Sequence, residues 1–227
     1  RQRGHEAVAR DRELQRVLAR GQQVVRLDSE RRVPLQIEIV DQLLRCIESQ
    51  LPKADVCLLS DYDKGVVSTS VAACLISLAR EAHKPVVVDP KGNDIMKFRG
   101  ATCITPNVIE VERALNRELK DDTVLVEAGK ELSNLLEGSA LLITQGADGM
   151  SLFINGSLVQ HLRSVAREVY DTTGAGDTVA GTLALALAAD TDLERSVWLA
   201  NRAAGVVVSK LGTSTLSAEE LIADASL

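Results

Sequence analysis

The sequence predicts an α/β fold with a mostly parallel sheet and helices on both of its faces. Three observations carry that expectation. Short apolar runs rich in β-branched residues, at 56–60, 85–89 and Ala140–Thr144, recur along the chain and end in polar groups, which suits strands buried on both faces. Segments of helical periodicity separate them. The length of 227 residues and an apolar content of 45% suffice for one substantial core.

The elements follow in order. Residues 56–60 read as the first buried strand. Residues 68–80 open on Ser68, place apolar side chains at helical spacing and stop short of Pro85, so they read as a crossover helix. With the strand at 85–89 they complete a β-α-β unit. Residues 107–115 and 123–136 read as further helices, and Ala140–Thr144 as another parallel strand. Met150–Ile154 and Ser157–Leu162 flank Asn155-Gly156, a pair that favours the type I′ turn of a hairpin. The last third is mostly helical: 174–189 is rich in Ala and Leu with little charge, as in a buried helix, and 193–209 and Ala218–Ala225 follow. There is neither an internal repeat nor a low-complexity linker.

Composition excludes several functions. A formal charge of -6 argues against nucleic acid or an anionic membrane surface as the main partner and leaves small molecules. The four cysteines, Cys46, Cys57, Cys74 and Cys103, form no C-x-x-C pair, and two lie in apolar runs, which points to a reduced, cytoplasmic setting. No apolar stretch is long enough to span a bilayer, and the Arg-rich start is too charged for a secretory core. That start reads as a solvated face or as a contact for a sugar phosphate. Because the chain begins with Arg, a further upstream segment is expected.

The chemistry concentrates in Asp171-Thr-Thr-Gly-Ala-Gly-Asp177. Gly174, Ala175 and Gly176 stand where the chain turns into a long helix, so unhindered N–H groups and the helix dipole can converge on one anion. Phosphoryl transfer requires such an arrangement, since its catalysis is mainly positioning and electrostatic stabilisation. Asp177, in the first turn, can take the proton from an attacking hydroxyl. The same residues also fit a plain turn followed by a dipole-matched acid. A dinucleotide fingerprint would need glycine where Val179 stands, and there is no G-x-x-x-x-G-K-[ST], H-E-x-x-H or G-x-S-x-G.

Taken to Gly181, this segment resembles the carboxy-terminal signature of the ribokinase-like (PfkB) family of carbohydrate kinases. Four other segments fall in the family's order: Ser60-Asp-Tyr-Asp-Lys-Gly65, Val88-Asp-Pro-Lys-Gly92, Thr105-Pro-Asn-Val-Ile-Glu110 and Thr144-Gln-Gly-Ala-Asp-Gly149. With Gln22-Gln-Val-Val-Arg-Leu-Asp28 and Ala204-Gly-Val-Val-Val-Ser-Lys-Leu-Gly-Thr-Ser-Thr215, the set is most similar to the branch acting on D-glycero-β-D-manno-heptose 7-phosphate on the route to ADP-heptose and lipopolysaccharide core. The resemblance implies a ribokinase-like three-layer fold whose amino-terminal part and lid, roughly half a typical domain, are missing from this chain. Residues 1–227 are then the nucleotide-binding and catalytic portion of one carbohydrate kinase domain, without an adenylyltransferase domain.

The resemblance also implies roles. Asp177 is the base on the anomeric hydroxyl, and Gly174, Ala175 and Gly176 form the anion hole. Asn107, Val108, Ile109 and Glu110 match an N-x-x-E motif linked to nucleotide phosphates and magnesium, with Glu110 acting through water; Asn107 equally fits the N-cap of the next helix. Thr144, Gly146 and Gly149 line the nucleotide cleft or form an ordinary turn, and Asn201 lies near the adenine or faces solvent. Asp61, Lys64 and Lys91 are substrate-binding candidates at strand ends, or else solvated loop charges, as is Asp63. ATP and Mg²⁺ are the expected cofactors, with a monovalent cation near Gly212-Thr-Ser-Thr215. The expected partners are the sugar phosphate, a second copy of the chain and an adenylyltransferase.

Overall fold

The computed structural model describes residues 13–19, 22–29, 33, 35–166 and 169–225. The start of the Arg-rich segment lies outside the described residues. Strands β1 (Glu13–Ala19) and β2 (Gln22–Ser29) pair antiparallel as a separate two-stranded sheet, and the Gln22 to Asp28 motif is β2.

The main sheet has six strands in the order β3 (Cys57–Ser60), β4 (Val86–Asp89), β5 (Cys103–Ile104), β6 (Ala140–Thr144), β7 (Met150–Ile154) and β8 (Ser157–Leu162). The first four run parallel, and β7 and β8 are added antiparallel. The turn between β7 and β8 has positive φ at Asn155 (48°) and Gly156 (70°), as the Asn-Gly pair requires.

Helix α1 (Ile37–Gln50) precedes β3, α2 (Thr69–Glu81) joins β3 to β4, and α3 (Val108–Leu115) and α4 (Asp122–Leu135) lie between β5 and β6. Helices α5 (Ala175–Ala188), α6 (Leu193–Val208) and α7 (Ala218–Ala225) end the chain. Side chains cap five of the helix starts: Ser68 on α2, Asn107 on α3, Asp121 on α4, Asp192 on α6 and Ser217 on α7 each accept a bond from a first-turn N–H.

Strand alternation divides the core into two layers. Val86, Val88, Ile104, Leu141 and Ile143 face one cluster with Ile76, Phe98, Leu132 and Phe153, beneath α2 and α4. Val87, Cys103 and Leu142 face the other, with Val179, Leu183, Val197 and Ala200 of α5 and α6. A period of two sends successive residues to opposite faces, so one four-residue strand feeds both layers. Each fully buried Val or Leu contributes roughly 1.5–3 kcal/mol. This is the three-layer α/β arrangement the sequence predicts. In such folds ligands gather beyond the carboxyl ends of the strands, where Asp61, Asp89, Thr105 and Thr144 stand.

Candidate active site

Helix α5 starts differently from its neighbours. Its N-cap is Gly174, left-handed at φ 84°, with no side chain to occupy the first turn. The approach to it is fixed from behind: Tyr170 N–H donates to the carbonyl of Val208 (2.9 Å), and Thr173 N–H donates to Asp171 Oδ1 (2.8 Å). Ala175 N–H is spent on the carbonyl of Thr172 (3.2 Å), and Thr178 N–H closes the first helical bond to Gly174 (2.9 Å). Gly176 and Asp177 therefore carry the first-turn N–H groups that an α-helix leaves without an internal acceptor. A Cβ on Gly176 would meet nothing within 4 Å, so this face of the turn is open.

That turn borders a cavity of about 550 Å³, ample for a small ligand. Lys91, Asn107, Thr144, Gly146, Gly149, Ala175, Gly176 and Asn201, all candidates from the sequence, line it together. Gly149 has φ 93°, and a Cβ there would lie 1.9 Å from the carbonyl of Leu162, so bare backbone is required where the β6–β7 turn passes the end of β8. Asn201 is 5% exposed and donates from Nδ2 to the carbonyl of Arg163 (2.9 Å). The solvent-facing alternative for Asn201 is thus overturned, because a buried amide must be hydrogen-bonded and this one ties α6 to the segment leaving β8.

A charged group meets at Lys91 and Asn107 of the cavity lining. Asn107 Oδ1 accepts from Glu110 N–H (2.9 Å) and Glu110 Oε2 accepts from Asn107 N–H (2.8 Å), a full capping box at the start of α3. The remaining oxygen, Glu110 Oε1, accepts from Lys91 Nζ at 2.8 Å, and Asp89 Oδ1 lies 3.7 Å from the same ammonium. Burial pushes the Asp89 carboxyl up to about 6; Lys91 opposes that rise, while Glu110 and Asp177 add to it. Burial also works to lower Lys91, but the bond to Glu110 and the fields of Asp89, Glu110 and Asp177 outweigh it and raise the ammonium's pKa. Asp177 itself is exposed.

The other candidates sit apart from the cavity wall. Asp61 is 2% exposed, which overturns its reading as a solvated charge: its Oδ2 accepts from Lys97 Nζ (2.7 Å) and its Oδ1 from Asp63 N–H (2.9 Å). Lys64 is half-buried in the same loop, Val108 packs against the core, and Ile109 is exposed. Thr213 of the 212–215 segment stands beside Gly174, where its methyl would meet an added Cβ at 3.5 Å.

Sequence reasoning assigned no site role to Asp89, though it lies in Val88-Asp-Pro-Lys-Gly92, nor to the apolar wall of Met150, Val179, Ala204 and Val208. Ala204 and Val208 follow Asn201 by three and seven residues on α6, so helical spacing from Asn201 could have found them.

The pfkB family of carbohydrate kinases matches the chain over residues 37–221. The chain belongs to that family. Among curated relatives, the bifunctional protein HldE of Trichlorobacter lovleyi is 47% identical over 212 residues, 93% of this chain and 43% of that protein. HldE of Chromohalobacter salexigens is 50% identical over 207 residues, 91% of this chain and 42% of the relative. Among solved structures, a ribokinase from Arabidopsis thaliana complexed with ribose and ATP aligns with a TM-score of 0.70 at 20% identity, over 92% of this chain and 66% of that one. Phosphofructokinase-2 from Escherichia coli in complex with potassium gives 0.72 at 20%, over 89% and 66%. These neighbours show the ribokinase-like fold for this pfkB chain, which spans less than half the length of the HldE relatives.

Proposed function

We propose that this pfkB chain is the nucleotide-binding and catalytic portion of a kinase that moves the γ-phosphoryl of ATP to the anomeric hydroxyl of D-glycero-β-D-manno-heptose 7-phosphate. The observation that carries the reading is Asp177 in the first turn of α5, whose uncapped glycine start opens on the cavity. In this reading Asp177 takes the hydroxyl proton as the oxygen bonds to the γ-phosphorus. The bond from that phosphorus to the bridging oxygen breaks, and ADP leaves. The N–H groups of Gly176 and Asp177 hold the transferring phosphoryl in place of the Gly174, Ala175 and Gly176 set that the resemblance implies, because Ala175 N–H is bonded to the carbonyl of Thr172, and the helix dipole favours the phosphoryl's charge. The wall of Met150, Val179, Ala204 and Val208 takes the base, beside Asn201.

The donor set fits magnesium only in an outer role. Both oxygens of Glu110 are engaged, and no group of three His, Cys, Asp or Glu able to hold a metal occurs among the described residues. Mg²⁺ keeps several waters and takes few carboxylates, so Glu110 would hold it through water. Bound there, it would neutralise charge on the nucleotide phosphates. The heptose assignment rests on the motif resemblance and on the HldE relatives, whose description as bifunctional motivates an adenylyltransferase as the partner activity.

Asp177→Asn tests the reading. It should keep ATP binding, measured by calorimetry, and lose roughly 10²–10⁴-fold in ADP release with the heptose phosphate as acceptor. Unchanged turnover in that variant overturns the base assignment. A panel of sugars and nucleosides in which another acceptor is preferred overturns the heptose assignment alone.

A further inference from the structure

We propose that Asp89 is a positioning residue which, with Glu110, clamps the Lys91 ammonium at the cavity so that it meets the polyphosphate of the bound nucleotide. The proposal rests on the nucleotide site described above and gives a role to Asp89, which the Val88-Asp-Pro-Lys-Gly92 segment contains without one.

The geometry is specific. Asp89 ends β4 and Lys91 follows two residues later, so the lysine leaves the sheet at the carboxyl edge beside the cavity it lines. A lysine side chain has a flexible four-carbon stem and is normally solvated. Here two carboxylate side chains, 8% and 6% exposed, converge on the ammonium of a lysine whose side chain is 39% exposed and lines the cavity. Glu110 cannot swing away, because its other oxygen is held in the capping box by Asn107 N–H. Asp89 is held by the strand. The ammonium is therefore fixed by buried acids from behind and remains accessible toward the cavity.

Desolvated carboxylates are costly, and a single partner would satisfy one lysine. Two acids aimed at one half-exposed cation make a device for orientation. Phosphate is the group that such a cation receives, and the open first turn of α5 supplies the second anchor for it. Lys91 also feels the charge of Asp177, which places it on the side of the cavity where transfer would occur.

A double-substitution cycle read by calorimetry, with ATP and adenosine as ligands, tests the clamp. Lys91→Met should weaken ATP on the order of tenfold, about 1.4 kcal/mol, and leave adenosine unchanged. Asp89→Asn should weaken ATP in the parent and add nothing in the Lys91→Met background, because its effect passes through the lysine. A purely structural role would weaken both ligands alike or add fully to Lys91→Met, and either result overturns the clamp. Should Asp89→Asn not fold, Lys91→Met binding ATP as the parent does overturns it equally. Absence of ATP binding by the unsubstituted protein overturns the nucleotide reading and the clamp with it. ATP binding with an additive cycle overturns the clamp alone.

Discussion

At the scale of single residues, Asp89 carries a conflict between folding and function. Its carboxyl is pushed up to about 6 from an ordinary 3.8, chiefly by burial. The folded chain thus prefers Asp89 protonated. That preference contributes stability fully present below the unfolded value and lost as pH rises through about 6. Asp89→Asn cannot ionise, so it should gain stability relative to the parent as pH rises from about 4 to about 7, by up to about 3 kcal/mol. Urea melts at stepped pH measure the difference, and a flat difference across that range contradicts the assignment. The variant is expected to be more stable and to bind ATP less well, a trade found where a site keeps a charge that the fold would discard. None of this could be read from sequence, since Glu110 is far from Asp89 along the chain. The pairing of Asp61 with Lys97 is a further case. The two meet across 36 positions, so loop composition gave no sign that Asp61 is buried.

At the scale of elements, what could be read divides by the strength of local pattern. Helices α2, α5 and α6 and the β7–β8 hairpin have strong caps, long apolar periods or the Asn-Gly turn, and the structure has them where the sequence placed them. Strand β5 has two residues, too few for a period, and only its register with Val87 and Ala140 defines it. Helix α1 carries helical spacing at Ile37, Val40, Leu44 and Ile47, yet none of its residues is buried, so nothing in composition separates it from a solvated segment. Glycines show the same division. Gly129 and Gly176 are both helical, but a Cβ on Gly129 would lie 2.3 Å from the ring of Phe153, while one on Gly176 meets open space. Gly129→Ala should therefore cost about 1–3 kcal/mol by forcing α4 off β7. Gly176→Ala should leave stability unchanged or raise it by up to about 1 kcal/mol, and on the proposed role of this turn should lower phosphoryl transfer, because the methyl would project into the space that reading assigns to the phosphoryl. Denaturant melts with paired assays distinguish the two, and equal destabilisation by both would contradict this account of the α5 turn.

At the scale of the whole molecule, the two core layers should not unfold independently, because the parallel strands β4, β5 and β6 each supply side chains to both. Val87 faces α5 and α6 while Val86 and Val88 face the layer of α2 and α4. The cavity, by contrast, belongs to one side: its walls are α5, α6 and the ends of β6 and β7, with Lys91 and Asn107 reaching in from the strand ends. A ligand there holds only the native arrangement, so it stabilises by mass action, about 2.7 kcal/mol at a free concentration one hundred times its Kd. Since the sheet couples the layers, that gain should reach residues that never touch the nucleotide. Hydrogen exchange with ATP at that excess should slow the best-protected amides of α4 as much as those of β6, on the order of a hundredfold. Protection confined to α5 and α6 would show that the layers open separately and that the shared strands do not enforce one cooperative core.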